Sequence, residues 1–361
     1  MKKSLLAIGA LAALYVSSAI AQSIITVYGL MDAGFRSTKG IGSSGTTFKF
    51  NGGTMTTSYF GIKGTEDMGG SNKAFFDLAS LLNSGTGATI GGSASSNLFG
   101  RSAVVGLSST SLGTLSFGHD INPSFLPTIL FNAYGDSGGW SPLWHATYFN
   151  FTQFSSFTTV DSLVNDTAWD NQVKYSSPSL GSATVSLHYA PGGVAGDSSV
   201  ANYGGNVLYF NGPLALTAYY QQTKINSPGS SQTNIYAAGT VNGVTITANQ
   251  PTNTWMVGGS YDFSVVKAFA TYQDSKQSAS GLEAKVWSVS AQIPAGPGKV
   301  LAEYAGTKLT AATSKTLTEW LVGYDYPLSK RTDVYANYLY SKDNTVSSTG
   351  YTAGVGLRHR F

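Results

Sequence analysis

Apolar and polar positions alternate along most of the chain. Ile25, Val27, Gly29, Met31, Ala33 and Phe35 share one face of a strand, with Thr26, Tyr28, Asp32 and Arg36 on the other. The same period returns in Trp255-Val257-Gly259-Tyr261-Phe263, in Trp287-Val289-Ala291-Ile293 and in Trp320-Val322-Tyr324-Tyr326. Each run predicts a strand with one oily and one polar face. A soluble sandwich alternates too, but here Trp and Tyr cluster near the ends of the oily faces, where a membrane barrel carries its interfacial girdles. Sixteen strands are expected, at 24–37, 56–65, 72–80, 98–107, 113–119, 170–176, 182–189, 202–210, 214–221, 254–262, 266–274, 284–292, 298–306, 318–326, 332–341 and 350–361. Short turns such as Asn211–Pro213 and Pro294–Gly298 are interleaved with long polar loops such as 38–55, 120–169 and 222–253. One tight rim and one elaborate rim are expected, with both chain ends on the tight side. The loop 222–253 has room for an extra hairpin at 235–241 and 244–247. The fold class read from this pattern is all-β: a transmembrane antiparallel sixteen-stranded barrel, wide enough to enclose a water-filled lumen.

Composition narrows the picture. Only 11% of the 361 residues are charged, against roughly 25% in soluble domains, while 43 are Gly and 21 are Tyr. Zero Cys excludes disulfide frameworks, thiolate zinc sites and cysteine nucleophiles. A formal charge of +3 argues against a nucleic-acid partner. Lys2 and Lys3 precede an apolar run from Leu5 to Ile20, and Ala19-Ile20-Ala21 offers a cleavage site. Residues 1–21 are therefore expected to be a signal peptide and 22–361 a single barrel domain; a retained anchor helix is the alternative. No later stretch holds 18 consecutive apolar residues, so any membrane crossing falls to the strands. In the last strand, Tyr351, Ala353, Val355, Leu357, His359 and Phe361 share a face, and the aromatic Phe361 is expected to serve as a membrane-assembly signal.

Several segments carry a resemblance that covers the chain from residue 24 to 361. They are Val27-Tyr28-Gly29-Leu30-Met31-Asp32-Ala33-Gly34, Phe60-Gly61-Ile62-Lys63-Gly64-Thr65-Glu66-Asp67-Met68-Gly69-Gly70, Leu98-Phe99-Gly100-Arg101 and Leu112-Gly113-Thr114-Leu115-Ser116-Phe117-Gly118. Asn171-Gln172-Val173-Lys174-Tyr175, Tyr326-Pro327-Leu328-Ser329-Lys330-Arg331 and Gly354-Val355-Gly356-Leu357-Arg358-His359-Arg360-Phe361 complete the set. With them the chain resembles the general porins of Gram-negative bacteria, of the β-proteobacterial type found in Neisseria and Burkholderia relatives. The resemblance implies a homotrimer in the outer membrane, in contact with lipopolysaccharide and assembled by machinery that reads the last strand. It implies passive diffusion of small hydrophilic solutes, no cofactor, no metal and no enzymatic step. It also implies a third long loop folded into the barrel as a constriction, opposing basic wall residues to loop acids.

The match at that constriction is partial. Arg101 stands at a basic wall position of the family, but Tyr59 and His119 occupy two others where arginine is usual. Lys174, Arg36 and Lys63 are the candidate replacements, Lys63 near the short-turn end and Arg36 near the outer end, and Asp120 and Asp136 are the candidate acids, Asp136 foremost. The loop 120–169 lacks the family's acidic motif and is rich in rings, among them Phe125, Phe131, Tyr134, Trp140, Trp144 and Tyr148. Those rings either line the passage or bury themselves against the wall. A weak transverse field and weak ion selectivity are expected. Substrate-specific transport and a surface adhesin or receptor using the long loops are the alternatives.

Other motifs have bland readings. Gly40-Ile41-Gly42-Ser43-Ser44-Gly45 matches a dinucleotide fingerprint, but no strand-to-helix turn surrounds it. His119-Asp120 resembles an acid–base pair, and His145, His188 and His359 are too scattered in sequence for a metal site. Asp32, Asp262, Glu319 and Asp325 fall on polar faces and are expected to be hydrated lumen-wall carboxylates paired with cations across strands.

Overall fold

The computed structural model describes residues 24–90, 98–148, 164, 167–192, 201–224, 239–241, 244–246 and 250–361. The expected signal peptide lies outside the described residues. Sixteen antiparallel strands form the barrel: β1 (Ile24–Lys39), β2 (Ser58–Gly69), β3 (Asn72–Leu82), β4 (Ser102–Ser109), β5 (Gly113–Ile121), β6 (Ala168–Ser176), β7 (Ala183–Ala190) and β8 (Asn202–Asn211) in the first half. The second half is β9 (Leu214–Lys224), β10 (Pro251–Asp262), β11 (Lys267–Gln277), β12 (Glu283–Ala295), β13 (Gly298–Thr310), β14 (Ser314–Pro327), β15 (Thr332–Asp343) and β16 (Gly350–Arg360). Each pairs with its neighbour in sequence, and β1 closes the sheet on β16 from Leu30↔Arg360 to Lys39↔Tyr351. Gly29 and Phe361 extend that seam by exchanging backbone hydrogen bonds of 3.1 Å in both directions. The Phe361 ring covers Gly29, where a methyl group would collide with it.

The alternation sorts the two faces as the sequence implies. Ile25, Val27 and Phe35 on β1 are exposed to the outside, as are Val105 and Leu107 on β4 and Val355 and Leu357 on β16. Two levels of rings girdle the outer face of β10–β15. Trp255–Tyr272, Trp287–Tyr304 and Trp320–Tyr338 make the upper level, with centroids 5.0–5.6 Å apart. Tyr261–Phe263 and Tyr324–Tyr326 make the lower one. Trp255 and Tyr261 are six residues apart on β10, about 20 Å of strand, which suits a hydrocarbon band flanked by aromatics. No helix among the described residues is long and apolar enough to cross a membrane.

Several boundaries move for physical reasons. β2 begins at Ser58, because residues 53–57 leave the sheet and turn into the lumen. The polar stretch before them contains a short strand, Thr47–Gly52, paired with the upper half of β1. The Gly40–Gly45 motif thus leads into strand, with no helix to receive a phosphate. β4 begins at Ser102, so Arg101 lies in the preceding turn and is not bound by strand parity. In the loop after β9, residues 239–241 pair with 244–246 as a separate hairpin.

Candidate functional site

The third long loop leaves β5 through a bulge. Gly118 adopts φ 131° there, beside the Ala103 carbonyl where a side chain would collide, and the register with β6 shifts between Gly118 and Asp120. Among its described residues the loop then forms two short helices, α1 (Phe125–Leu130) and α2 (Pro142–Tyr148). Ser141 and Pro142 start α2 in the usual way. The Ser141 hydroxyl accepts from the Trp144 N–H at 3.2 Å, and proline needs no partner in the first turn.

Wall residues hold the loop inward. Glu303 on β13 accepts from the Ser141 hydroxyl at 2.9 Å and the Leu143 N–H at 2.7 Å, so a wall carboxylate satisfies the orphan donors of α2. His145 sits between Glu319 on β14 (3.3 Å) and the Gly138 carbonyl (3.2 Å). The Tyr134 hydroxyl donates to the Leu301 carbonyl at 3.0 Å, and Gln292 donates to the Ala133 carbonyl at 2.8 Å. Farther round the same wall, on β1, Arg36 donates to the Gly139 carbonyl at 2.7 Å and lies 4.6 Å over the Trp140 ring. Phe125, Phe131, Tyr134, Trp140, Trp144 and Tyr148 are all buried, so they pack largely against the wall, while Phe125, Trp144 and Tyr148 also edge one lumen cavity and Tyr134 another. Phe149, Phe151, Phe154 and Phe157 lie outside the described residues.

This anchoring brings Asp136 to the wall at Arg101, with Nη1 and Oδ2 3.8 Å apart. Arg101 lies 3.9 Å over the Tyr59 ring, which meets Tyr28 edge-on at 6.0 Å. Tyr28 in turn donates to Asp77 and carries Lys63 4.9 Å above its ring. Burial pushes the Asp136 carboxyl above the usual carboxylate range, with Arg101 pulling the other way. Two cavities, of about 640 and 400 Å³, share Arg101, Ile129 and Asp136 in their linings. The outer one reaches Asp120 and Thr167; the inner one reaches Lys299, Asp325, Arg358 and Arg360.

The other candidates stand apart from this junction. Lys174 pairs with Asp120 at 2.9 Å on the β5–β6 wall. His119 is held by Asp170 and the Gly100 carbonyl, so it does not form a dyad with Asp120. Arg36 faces inward, but its guanidinium is engaged by the third loop. Of the carboxylates expected to be hydrated, Asp325 meets Arg358 at 3.3 Å, yet Asp32 and Glu319 are buried beneath inward-folded chain. That expectation is corrected for both: parity put them on the lumen side, and the loops then covered them. Asp262 accepts from the Ser264 N–H in the turn after β10. No cluster of metal-ligating side chains occurs among the described residues. Sequence reasoning did not single out Glu303 or Asp77, and it gave His145 no part in the site. Parity had placed Tyr28 on the inner face, the one available signal for that part of the site.

Comparison with known proteins agrees with this geometry. A family described as Gram-negative porin matches residues 7–346. An outer membrane porin protein of Bordetella pertussis is 28% identical over 418 aligned positions that take in 100% of both chains. The anion-selective porin from Comamonas acidovorans superposes with a TM-score of 0.74 at 23% identity, over 94% of this chain and 100% of that one. The trimer form of Vibrio cholerae OmpT does so with a TM-score of 0.59 at 15% identity, over 94% and 99%. A closed barrel with an oily girdle, a polar bore and a loop lashed across it is what such a match requires: the chain belongs to the Gram-negative porin family and is a multi-pass channel of the outer membrane.

Proposed function

We propose that small hydrated solutes cross this channel by passive diffusion, with no catalytic step, through a constriction between the Tyr59–Arg101 wall and the Ile129–Asp136 edge of the third loop. The observation that carries this reading is the meeting of the outer and inner cavities at Arg101, Ile129 and Asp136. The inner cavity is lined by Arg101, Lys299, Arg358 and Arg360 against Asp136 and Asp325, an excess of positive charge. A modest preference for anions is the consequence, in keeping with the anion-selective Comamonas porin.

Reversal potentials in a potassium chloride gradient across a planar bilayer test it. A chloride-to-potassium permeability ratio of about two to five is expected at neutral pH, the size of effect a small net charge leaves after salt screening. Because burial raises the Asp136 carboxyl above its ordinary range, it takes up its proton at a higher pH than a free carboxylate does as pH falls. Acidification therefore strips the negative member of the constriction, and the anion preference should rise, by less in Asp136→Asn. A cation-selective pore, or one whose anion preference falls on acidification, would overturn the assignment.

We further propose that the channel is a homotrimer. The outward positions of β2–β5 that are described, among them Ile62, Leu78, Val105 and Leu115, include no Trp or Tyr, unlike the girdled face of β10–β15. That sector suits protein contact better than the lipid interface, where Trp and Tyr are favoured. Unheated protein should run in sodium dodecyl sulfate as a single band far above the 37.8 kDa of one chain, collapsing to it on boiling. The outer-leaflet lipopolysaccharide faces the girdled strands, and β16 with Phe361 is the segment the assembly machinery reads.

A further inference from the structure

The ladder between β1 and the chain that runs beside it contains an interruption. Ala33 faces Gly52 and Leu30 faces Tyr59, so three steps along β1 span seven along its neighbour, a surplus of four residues. The surplus, within residues 53–57, folds into the lumen around one carboxylate. Asp32 is fully buried, and Oδ1 accepts from the Thr54 N–H at 3.1 Å while Oδ2 accepts from the Met55 and Thr56 N–H groups at 3.0 Å each. The Tyr335 hydroxyl donates to Oδ1 at 2.7 Å. The Asp32 carbonyl accepts from the Gly53 N–H at 2.8 Å and from the Ser58 and Ser84 hydroxyls at 3.1 and 2.6 Å. Successive N–H groups converging on an anion form a concave nest, and here the anion belongs to the protein.

What the nest holds bears on the passage. Met55 is buried in a cluster with Ala133, Tyr134 and Trp140 of the third loop and Leu301, Leu321 and Tyr335 of the wall. Gly139 lies against Thr54 so closely that a side chain there would collide with it. The Thr56 hydroxyl accepts from Arg358 at 2.9 Å. Gly53 and Thr57 line the outer cavity, and Met55 and Thr56 the inner one, so the segment straddles the same level as Arg101 and Asp136.

We propose that residues 53–57 are a second constriction element, seated on the β13–β16 wall of the inner cavity, and that Asp32 is the positioning residue that fixes it there. The inference rests on the channel reading and adds to it a determinant of pore width outside the third loop. The carboxylate is required because a neutral amide offers one acceptor oxygen where three backbone N–H groups and a phenol converge on two.

Single-channel conductance of the full-length protein in planar bilayers is the test, with three variants beside the wild type. Asp32→Asn should raise conductance by roughly 1.5-fold or more and add open-channel noise, as an unpinned segment moves in the passage. Deletion of residues 53–56 restores an even ladder and should give a wider, quiet pore. In that background Asp32 faces the lumen, so adding Asp32→Asn should leave conductance nearly unchanged and shift the reversal potential toward anions. Heat-modified gel migration reports folding for every variant. If folded Asp32→Asn matches the wild type in conductance and noise, or the deletion leaves conductance unchanged, the inference fails. A wild-type protein with no conductance would instead sink the channel reading itself.

Discussion

Arg101→Glu is expected to convert a modestly anion-preferring pore into a cation-preferring one, moving the chloride-to-potassium permeability ratio by about tenfold. Arg101 lines both cavities and faces Asp136 across the junction, so the proposed route brings each permeating ion close to it. A unit charge about 6 Å away in water is worth about 0.7 kcal/mol to a passing ion, and reversal doubles the swing with opposite signs for the two ions. Screening trims that to about 1.4 kcal/mol, the equivalent of tenfold. Glutamate would also face Asp136 as a like charge and leave the Tyr59 ring uncovered. Arg101→Lys keeps the charge without the plane that lies on Tyr59, and should preserve the sign of selectivity. An Arg101→Glu pore with the wild-type ratio would remove Arg101 from the constriction.

Glu303→Ala should free the third loop and raise single-channel conductance roughly twofold or more, with the barrel still closed. The substitution leaves the Leu143 N–H and the Ser141 hydroxyl facing a buried wall without their acceptor, at about 1–3 kcal/mol for each. Ties at Gln292, Tyr134 and Arg36 hold the loop's earlier part, and His145 and Thr147 still hold the end of α2 to Glu319 and Gln273, so the swing should centre on the first turn of α2. Glu303→Gln supplies a carbonyl oxygen at the same place and should conduct like the wild type. That contrast separates the acceptor from the charge, and equal conductance in all three proteins would show the anchor to be dispensable.

The barrel was legible because lipid on one side and water on the other impose period two on every strand, and Trp and Tyr mark where the lipid ends. The closeness of Arg101 and Asp136 was legible in part: the family resemblance marked Arg101 as a wall cation, and the third loop offers few acids to face it. Other parts of the site depend on where covalently distant chain comes to rest. Glu303 and Glu319 look alike by parity, and a lumen-facing carboxylate becomes buried only because α2 settles on it. Gly53-Thr54-Met55-Thr56-Thr57 reads as ordinary polar loop until the register of β1 with both of its neighbours is known. His119 shows the limit of parity itself, since the bulge at Gly118 re-aims the residues after it. The same dependence decides the rings of the third loop, whose burial no local pattern sets.

The seam between β1 and β16 has a consequence for how the barrel can form. Fifteen of the sixteen strand junctions join neighbours in the chain, many through turns of a few residues, whereas Leu30 and Arg360 meet across 330 residues. Closing a loop of that length costs about 5 kcal/mol of chain entropy, against about 1 kcal/mol for a four-residue turn. Hairpins can therefore accumulate one by one, while the last junction offers no partial reward until its two edges are already side by side. Contact order is concentrated in a single step, and until that step is taken both edges present unpaired N–H and C=O groups to whatever strand arrives first.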